Sequence, residues 1–493
     1  MGRQTLHPII SMGMAHYFWI PKELDVDTLL VDYDFTTIRA FHRDNLYYIL
    51  HLINEIPANN KDTITEDGYV PLNALLLRKW IRDYEKYIKC LMALSVIETD
   101  GHYVLNIKSK GYRYCEKYRT GLRRVLVTDL TLVKKLDDWI AENDYARQPT
   151  ASAGRSSISA VYEPISKWYR SGAIQIEAGA ANAYNEQVLA DKTKDGSRAN
   201  WDKKYNHDGT YTLKDPYMQF IAGQRNIENL TTGRYNLHAD ENVFRLHSTI
   251  TNCKKELRQF IRLQGQKVVA VDISNSQPTL LTVLLDLGFW ENTGALKSSD
   301  IPYLNLHNIF IDQQHRTTLI KLLNNVQDND IARNEVEQLR NIVASGTFYD
   351  SFCALLKSKL GIEYDREAVK PMVFTMLFTS NRFIGQPEAA PKRVFRDMFP
   401  NIYAVISCIK RKAPANLPTI LQRIESYLMY YKIVPAIAIS MPDTPIVPIH
   451  DSIAVAKGNE AEIEAIIREE LGACLGFVPH VKREEWLPVR TAA

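Results

Sequence analysis

The sequence predicts an α+β protein with an N-terminal winged-helix-like domain, and three observations support this prediction. The chain has 493 residues, of which 45% are apolar and 24% charged, as expected for a globular protein of about three domains. Residues 61–125 show the order helix, helix, β-hairpin. From residue 245 to the end, strand-like and helical segments of the α+β type alternate.

The winged-helix pattern rests on two helices and one hairpin. Helices are expected over residues 72–80 and 84–94, where apolar residues recur at helical spacing. A short strand then leads to Asp100-Gly101, a dipeptide that favours a tight hairpin turn. The returning strand is expected over residues 102–107.

A basic run follows this hairpin and predicts a nucleic-acid-binding surface. Cations suit phosphates, and interleaved aromatic rings suit bases. Residues 1–145 are therefore expected to bind nucleic acid, and the alternative is a scaffold that packs against another protein. The residues concerned are Lys108, Lys110, Arg113, Lys117, Arg119, Arg123 and Arg124, with Tyr112, Tyr114 and Tyr118 between them.

The composition argues against several classes of protein. No stretch of about 18 uncharged apolar residues occurs, so neither a spanning helix nor a membrane partner is expected. The first residues lack the apolar core of a signal peptide. The six cysteines are far apart and form no CxxC pair, which argues against a cysteine-only zinc site and favours reduced thiols in the cytoplasm. The net charge of +3 leaves a nucleic-acid partner open.

Asp272 is expected at the end of a buried strand. The run from Lys267 to Ile273 is short, apolar and rich in β-branched residues. Residues 274–276 offer helix N-caps, and the proline at position 278 suits a first helical turn. The pattern therefore places Asp272 next to a strand-to-helix turn.

Asp451 is expected at the tip of a hairpin. Residues 444–455 predict strand, tight turn and strand, with His450 and Asp451 in the turn. An Asp buried among apolar residues costs several kcal/mol unless it is paired or bound to metal. Asp272 and Asp451 on neighbouring strands are therefore predicted to hold two Mg²⁺ ions about 4 Å apart, with Mn²⁺ as a second candidate. Taken singly, each Asp also fits a cap or turn.

Two cations and two aromatic residues recur at steps of four, at Arg366, Lys370, Phe374 and Phe378. On a helix such residues share a slowly drifting face. The strip suits a triphosphate at one end and a base at the other, and an amphipathic core helix is the alternative. Proline is disfavoured in the interior of a helix. Because of Pro371, the helix is therefore expected to begin near Lys370, with Arg366 in the preceding turn.

In this order, the three elements resemble the family A DNA polymerases and the single-subunit RNA polymerases of phage and mitochondrial type. Residues 272–274, Asp-Ile-Ser, are similar to motif A. Residues 366–378 are similar to motif B, and residues 450–451, His-Asp, to motif C. The resemblance covers roughly residues 230–493.

The resemblance implies a right-hand polymerase core of palm, fingers and thumb. A linker at residues 146–159 would lead to a thumb or connecting region at 160–260. The palm would consist of residues 261–286 and 401–493, with the fingers at 287–400 between them.

The resemblance also implies roles for individual residues. Asp272 and Asp451 would ligate two Mg²⁺ ions, assisted by the carbonyl of Ile273. Lys370 would act in catalysis and, with Arg366, hold the triphosphate of the incoming nucleotide.

The remaining implied roles concern the base, the sugar and the primer–template. Phe374 and Phe378 would pack against the incoming nucleotide, and Gln277 would stand beside its ribose. Residues expected to contact primer or template are Arg234, Arg245, Gln422 and His450.

The sequence leaves the choice of sugar open. Ser452 after Asp451 matches the RNA polymerases, whereas Phe374 matches the DNA polymerases. Gln277, five residues after Asp272, is nearly as bulky as the Glu that excludes ribose in the DNA enzymes. The prediction is a template-directed DNA polymerase that uses dNTPs on primer–template DNA, in replication of a mobile element or phage. A single-subunit RNA polymerase and a catalytically inactive DNA-binding or initiation protein are the alternatives.

Overall fold

The computed structural model describes residues 15–31, 33–104, 108–144, 146, 160–206, 210–302, 304–382 and 384–487. The chain divides into two compact units. The first consists of Met1–Gln148, Asn185–Asn200 and Lys214–Asn226, and the second of Pro149–Tyr184, Trp201–Leu213 and Ile227–Ala493. Most of the expected linker, residues 147–159, lies outside the described residues.

The first unit contains five helices and five strands within its described residues. The helices are Val26–Leu30, Arg43–Asn59, Ala74–Trp80, Tyr84–Ala93 and Leu130–Asn143. The strands are Tyr17–Pro21, Val70–Pro71, Ile97–Thr99, Gly111–Tyr114 and Leu122–Leu126. Two further helices, Ala178–Thr193 and Pro216–Thr231, have residues in both units.

The core of the first unit includes side chains from distant parts of the sequence. Ile49, Leu50 and Ile53 form the fully buried face of the helix Arg43–Asn59. Phe220 and Ile221 belong to the same hydrophobic core, although they follow it by about 170 residues. A division at residue 145 would therefore remove part of this core.

The hairpin of the first unit differs from the expected one. The two helices before it are present, but the returning strand is Gly111–Tyr114, which pairs with Ile97–Thr99, and not residues 102–107. The Asp100 carboxylate accepts hydrogen bonds from the backbone N–H groups of Gly111, at 2.8 Å, and His102, at 3.1 Å. These bonds close a longer loop than a two-residue turn, and residues 105–107 within it lie outside the described residues.

The three tyrosines of the basic run are buried, which corrects the prediction that they stack on bases. Tyr112, Tyr114 and Tyr118 are all core residues. The hydroxyl of Tyr114 donates a 2.7 Å hydrogen bond to the carbonyl of Leu50. Their bulk therefore stabilises the unit's interior rather than forming a stacking surface.

Most cations of the basic run are held within the unit. Lys108 pairs with Asp100 at 3.0 Å and Arg119 with Asp215 at 2.6 Å, and Arg113 pairs with a further carboxylate. Among the described residues, Lys110 and Lys117 make no ion pair and remain exposed.

The second unit is mainly helical around a four-stranded antiparallel sheet, called here the central sheet. Its strand order is Ile446–Ile449, Ser452–Ala456, Val268–Ile273 and Val481–Glu485. The strand Val268–Ile273 has a paired strand at each edge and is buried on both faces, and burial of both faces explains its nearly continuous apolar sequence. The helices and small antiparallel sheets confirm a mixed α and β composition.

The remaining elements of the second unit are helices and short paired strands. The helices are Glu163–Arg170, Thr249–Asn252, Ser276–Leu284, Leu287–Glu291, Leu306–Ile309, Gln313–Asp328, Asp330–Ala344, Phe348–Leu360, Arg366–Phe378, Ala390–Met398, Pro400–Ile409, Asn416–Tyr427, Val434–Ser440 and Glu460–Leu475. The short strands are Ile174–Ile176, Lys203–Tyr205, Tyr211–Leu213, His238–Ala239, Leu246–His247 and Ile261–Leu263. Within the described ranges, no helix is both long enough and apolar enough to cross a membrane.

Candidate active site

Asp272, near the end of the strand Val268–Ile273, lies beside Asp451, which is in the turn before the adjacent strand Ser452–Ala456. Asp272 is paired in register with Ser452, the residue after Asp451. The backbone N–H of Ile273 donates a 3.1 Å hydrogen bond to the carbonyl of Asp451. The turn between the two hairpin strands consists only of His450 and Asp451, and His450 adopts a left-handed φ of 56°. This tight turn holds Asp451 beside Asp272, as predicted.

The Asp451 carboxylate lies in an unfavourable environment for a negative charge. Burial, then the charges of Glu425 and Asp272, raise its pKa well above the ordinary value. No side chain in the described part of the chain donates a hydrogen bond to it or forms an ion pair with it. Asp451 nevertheless remains partly exposed. A positively charged ligand would relieve this repulsion.

Asp272 has a basic neighbour that was not expected. The ammonium of Lys482, on the adjacent strand Val481–Glu485, lies 3.1 Å from the Asp272 carboxylate. Burial raises the pKa of Asp272, and the charge of Lys482 opposes this rise. Lys482 is about half exposed, so screening by water makes this pair weak and exchangeable.

A third carboxylate, Glu425, lies beside the two aspartates and was missed in the sequence. It is buried on the helix Asn416–Tyr427. Its carboxylate accepts hydrogen bonds from Arg245 at 2.7 Å, from the Gln277 amide at 2.7 Å and from the Ser276 hydroxyl at 3.3 Å. All three bonds reach Oε2, whereas Oε1 makes no hydrogen bond of full geometry but lies 2.7 Å from the guanidinium of Arg245. Glu425 therefore has a cationic partner, unlike Asp451.

Glu425 binds two residues that were expected to contact nucleic acid or nucleotide. Arg245, expected to contact primer or template, has its guanidinium bound to Glu425. Gln277, expected beside an incoming ribose, is buried, with its Nε2 committed to Glu425 and its Oε1 without a partner. Gln422, three residues earlier on the Glu425 helix, is partly exposed.

The predicted strip lies on the exposed face of one helix, Arg366–Phe378, which contains Pro371. The helix begins at Arg366 and not near Lys370. The Asp365 side chain caps its first turn by accepting a 2.7 Å hydrogen bond from the backbone N–H of Ala368. Phe374 and Phe378 are not among the helix's buried residues and stack at 5.6 Å between ring centroids. The core-helix alternative does not account for these accessible rings.

The two cations of the strip make only exposed ion pairs. Lys370 lies 2.8 Å from Glu367, and Arg366 lies 3.4 Å from Asp350. Exposed pairs of this kind are worth about 0–1 kcal/mol. Both cations are therefore available to an anionic ligand at little cost.

Tyr349 links the strip to the carboxylates and was not identified in the sequence. The guanidinium of Arg366 lies 5.7 Å from the centre of the Tyr349 ring. Burial, then the negative charge of Asp451, raise the pKa of Tyr349 to about 12. Tyr349 therefore interacts both with the cationic end of the strip and with the charge of Asp451.

Of the other expected primer or template residues, His450 lies closest to the site. Its ring contacts the ring of His247 edge-on, at 5.8 Å between centroids. Arg234 follows the helix Pro216–Thr231, where its backbone N–H donates to the carbonyl of Asn229. Nothing in these contacts brings Arg234 to the carboxylates.

The turn after Asp272 is supported by His480 and Gly346. The Ser274 hydroxyl and the His480 Nδ1 are 2.8 Å apart, and the Ser274 N–H donates to the His480 carbonyl at 2.9 Å. Gly346 has a φ of +77°, and a Cβ there would lie 2.7 Å from the His480 ring. Glycine is therefore needed at this position for both conformation and space.

The side chains available to the predicted Mg²⁺ ions are the carboxylates of Asp272 and Asp451. In the described part of the chain, no group of three or more His, Cys, Asp or Glu side chains is arranged to bind a metal by itself. Two Asp carboxylates remain, one without a cationic partner. Because Mg²⁺ is commonly bound by one or two carboxylates together with substrate phosphates and water, this pair fits it.

Comparison with known proteins gives little further information. No family model and no curated protein matches the chain. Among solved structures, one similar chain is the POL domain of Pol1 from M. smegmatis in complex with DNA primer-template and dNTP. It has 15% sequence identity and a TM-score of 0.27, over 72% of this chain and 74% of that chain. A TM-score this low does not demonstrate a shared fold, so the functional assignment depends on the residues described above.

Proposed function

We propose that the protein is a nucleotidyltransferase that extends a primer on a DNA template with dNTPs. The observation that supports this most directly is the proximity of Asp272, near a strand end, to Asp451, in the adjacent turn. The cation-bearing strip of the helix Arg366–Phe378 belongs to the same unit, and its Arg366 contacts Tyr349. Such a pair provides oxygen ligands for divalent ions, and the strip provides cations and accessible aromatic rings for a nucleoside triphosphate. Within this proposal, the central sheet acts as the palm and the helix as part of the fingers.

Asp272 and Asp451 would hold the divalent ions, with the Ile273 carbonyl as a further ligand. The chemistry supplied by divalent ions held by these residues would be a lower pKa of the primer 3′-hydroxyl and compensation of the charge on the leaving pyrophosphate. Lys482 remains close enough to Asp272 to balance part of its charge when no ion is bound.

The strip would bind the incoming nucleotide. Arg366 and Lys370 would exchange their exposed ion pairs for contacts to the triphosphate, which are stronger because both partners are fully charged. Phe374 and Phe378 would provide the surface on which the base stacks. Of the two cations, Lys370 is nearer to the aromatic pair. We assign it to the phosphates that leave as pyrophosphate.

Deoxynucleotides are favoured over ribonucleotides because the residues around Gln277 leave no obvious partner for a 2′-hydroxyl. Its donor group is committed to Glu425, and neither Phe374 nor Phe378 has a hydroxyl. The polar, buried pair of Gln277 and Glu425 also occupies the space one turn after Asp272.

Primer extension with Mg²⁺ tests the proposal. Asp272→Asn and Asp451→Asn should each reduce nucleotide addition by at least about 100-fold, while duplex binding is retained. Asp443→Asn is the matched control, because Asp443 is exposed and lies just before the same hairpin. Substantial extension by either active-site variant would refute the assignment.

The same assay separates the alternatives. An enzyme that prefers ribonucleotides over deoxynucleotides on a DNA template would instead be an RNA polymerase. A wild-type protein that binds duplex but adds neither nucleotide would be the inactive DNA-binding protein.

A further inference from the structure

The second unit contains a basic cavity that the proposed reaction does not use. Its volume is about 780 Å³, within the usual range for ligand sites. It lies beyond the C-terminal end of the helix Arg366–Phe378. No Asp or Glu is among the described residues that line it, whereas five cations are: Arg382, Arg396, Lys410, Arg411 and Lys412.

Two of these cations are exposed and unpaired. The guanidinium groups of Arg382 and Arg411 form no ion pair with any residue in the described ranges. Arg396 differs, because it pairs with the adjacent Asp397 at 2.9 Å. The ammonium of Lys412 is bound only by backbone carbonyls. The cavity therefore has an uncompensated positive charge.

The floor of the cavity contains a buried lysine beside a second buried lysine. Lys410 donates to the carbonyl of Met376 at 3.2 Å and to the Asn381 side chain at 3.1 Å. Lys392, next to it, donates to the carbonyl of Ser380 at 2.9 Å. Cations commonly bind carbonyls at a helix C-terminus, but a second buried cation adds repulsion that this role does not require.

A buried hydroxyl provides a further unmatched polar group. Tyr403 lines the cavity, and its hydroxyl makes no hydrogen bond of full geometry, although Ser407 lies beside it. A buried hydroxyl left without a partner is unfavourable, because it has lost its hydrogen bonds to water. An anion in the cavity would accept this hydroxyl's proton in a hydrogen bond and balance the neighbouring cations.

We propose that this cavity binds a phosphate group, held by the exposed guanidinium groups of Arg382 and Arg411 above the buried ammonium of Lys410. The phosphate can belong to a free polyphosphate or to a nucleic-acid backbone, since both present the same oxygens. The site is separate from Asp272 and Asp451, and the proposal does not depend on catalysis there.

Phosphate binding is coupled to protonation of Lys410. Burial, then the charge of Lys392, lower the pKa of Lys410 to about 7. Lys392 is the charged group that acts on it, and no carboxylate is among the described residues that line the cavity. A bound anion raises this pKa, so binding near pH 7.5 takes up a proton from the buffer.

Calorimetry without divalent ions tests the site, with pyrophosphate and a single-stranded thymidine oligonucleotide as probes. Arg382→Ala/Arg411→Ala should weaken binding at least about tenfold. Lys321→Ala/Lys359→Ala is the charge-matched control, because both lysines are exposed and unpaired among the described residues of the same unit. If the arginine double variant weakens binding of only one probe, the natural ligand belongs to the class of that probe, either a free polyphosphate or a nucleic-acid backbone.

Unchanged binding of both probes by the arginine double variant, or an equal loss in the lysine control, would overturn the proposal. The proton uptake is measured by repeating the titration in buffers of different ionisation enthalpy. It should disappear in Lys410→Met, and circular dichroism checks that this variant folds. Asp451→Asn should bind both probes like the wild type, and tighter binding by this variant would place the anion at the carboxylates instead, because it removes a negative charge there.

Discussion

The amide of Gln277 donates a 2.7 Å hydrogen bond to the buried carboxylate of Glu425. This bond joins the helix that follows Asp272 to the helix Asn416–Tyr427. Glu425 also binds Arg245, so the carboxylate is shared between a charged and a neutral donor. A neutral Gln is therefore matched to a position where a second carboxylate would face Glu425.

Replacing Gln277 by Glu should destabilise the protein. A glutamate at position 277 would face the carboxylate of Glu425 and lose the hydrogen bond. We expect a loss of about 1–3 kcal/mol in the free energy of unfolding, measured by urea denaturation. The swap Gln277→Glu/Glu425→Gln should recover most of it, and a swap no better than the single variant would contradict the proposed pairing.

Removing the Gln277 side chain should relax selection of the sugar. Gln277→Gly is expected to increase ribonucleotide incorporation in primer extension, because the polar pair no longer fills the space after Asp272. Addition of deoxynucleotides should stay within about tenfold, or about 1.4 kcal/mol. If the wild type already prefers ribonucleotides and the variant reduces that preference, Gln277 reads the 2′-hydroxyl instead of excluding it.

Neutralising Asp451 should stabilise the metal-free protein. Its folded pKa lies above the ordinary value of about 3.9, so the unfolded state ionises first as the pH rises and stability falls. Asp451→Asn removes this loss and should raise the melting temperature at pH 7–8 in EDTA by on the order of 1–3 °C. The gain should vanish below about pH 4, where Asp451 is protonated in both states. A variant that melts at or below the wild-type temperature at pH 8 would show that Glu425 and Asp272 do not repel Asp451.

Lys370 should affect nucleotide binding and rate together. Lys370→Ala is expected to raise KM and lower kcat, because a charge-assisted contact to phosphate is lost. Lys370→Arg should restore activity only in part, since a planar guanidinium differs from a compact ammonium. Lys359→Ala, on the preceding helix, is the control, and kinetics of Lys370→Ala equal to that control would exclude the triphosphate role.

Charge removal is the appropriate test of the first unit, because deletion of residues 1–145 would expose Phe220 and its neighbours in the core. Lys110→Ala/Lys117→Ala should weaken DNA binding and reduce the slope of log affinity against log salt by about 2. Lys22→Ala/Lys61→Ala removes the same charge from exposed lysines of the same unit. Equal slopes for the two double variants would indicate that the basic run does not contact DNA.

Local patterns in the sequence were sufficient for several parts of the site. The apolar run ending at Asp272 and the turn at His450-Asp451 correctly predicted two strand ends. The four-residue spacing from Arg366 to Phe378 correctly predicted one exposed face. These predictions succeeded because side-chain direction within a single strand or helix follows from its period alone.

Tertiary structure decided which of these residues acquire partners. Glu425 and Lys482 reach the aspartates only through packing and strand pairing between segments about 150–210 residues apart, which no local pattern encodes. Tyr114 is buried for the same reason, because pairing of its strand turns its ring into the core. The sequence by itself determined which residue types stand at the ends and faces of the elements. Burial and the charges of distant neighbours, which set the state of Asp451, were decided only by the assembled fold.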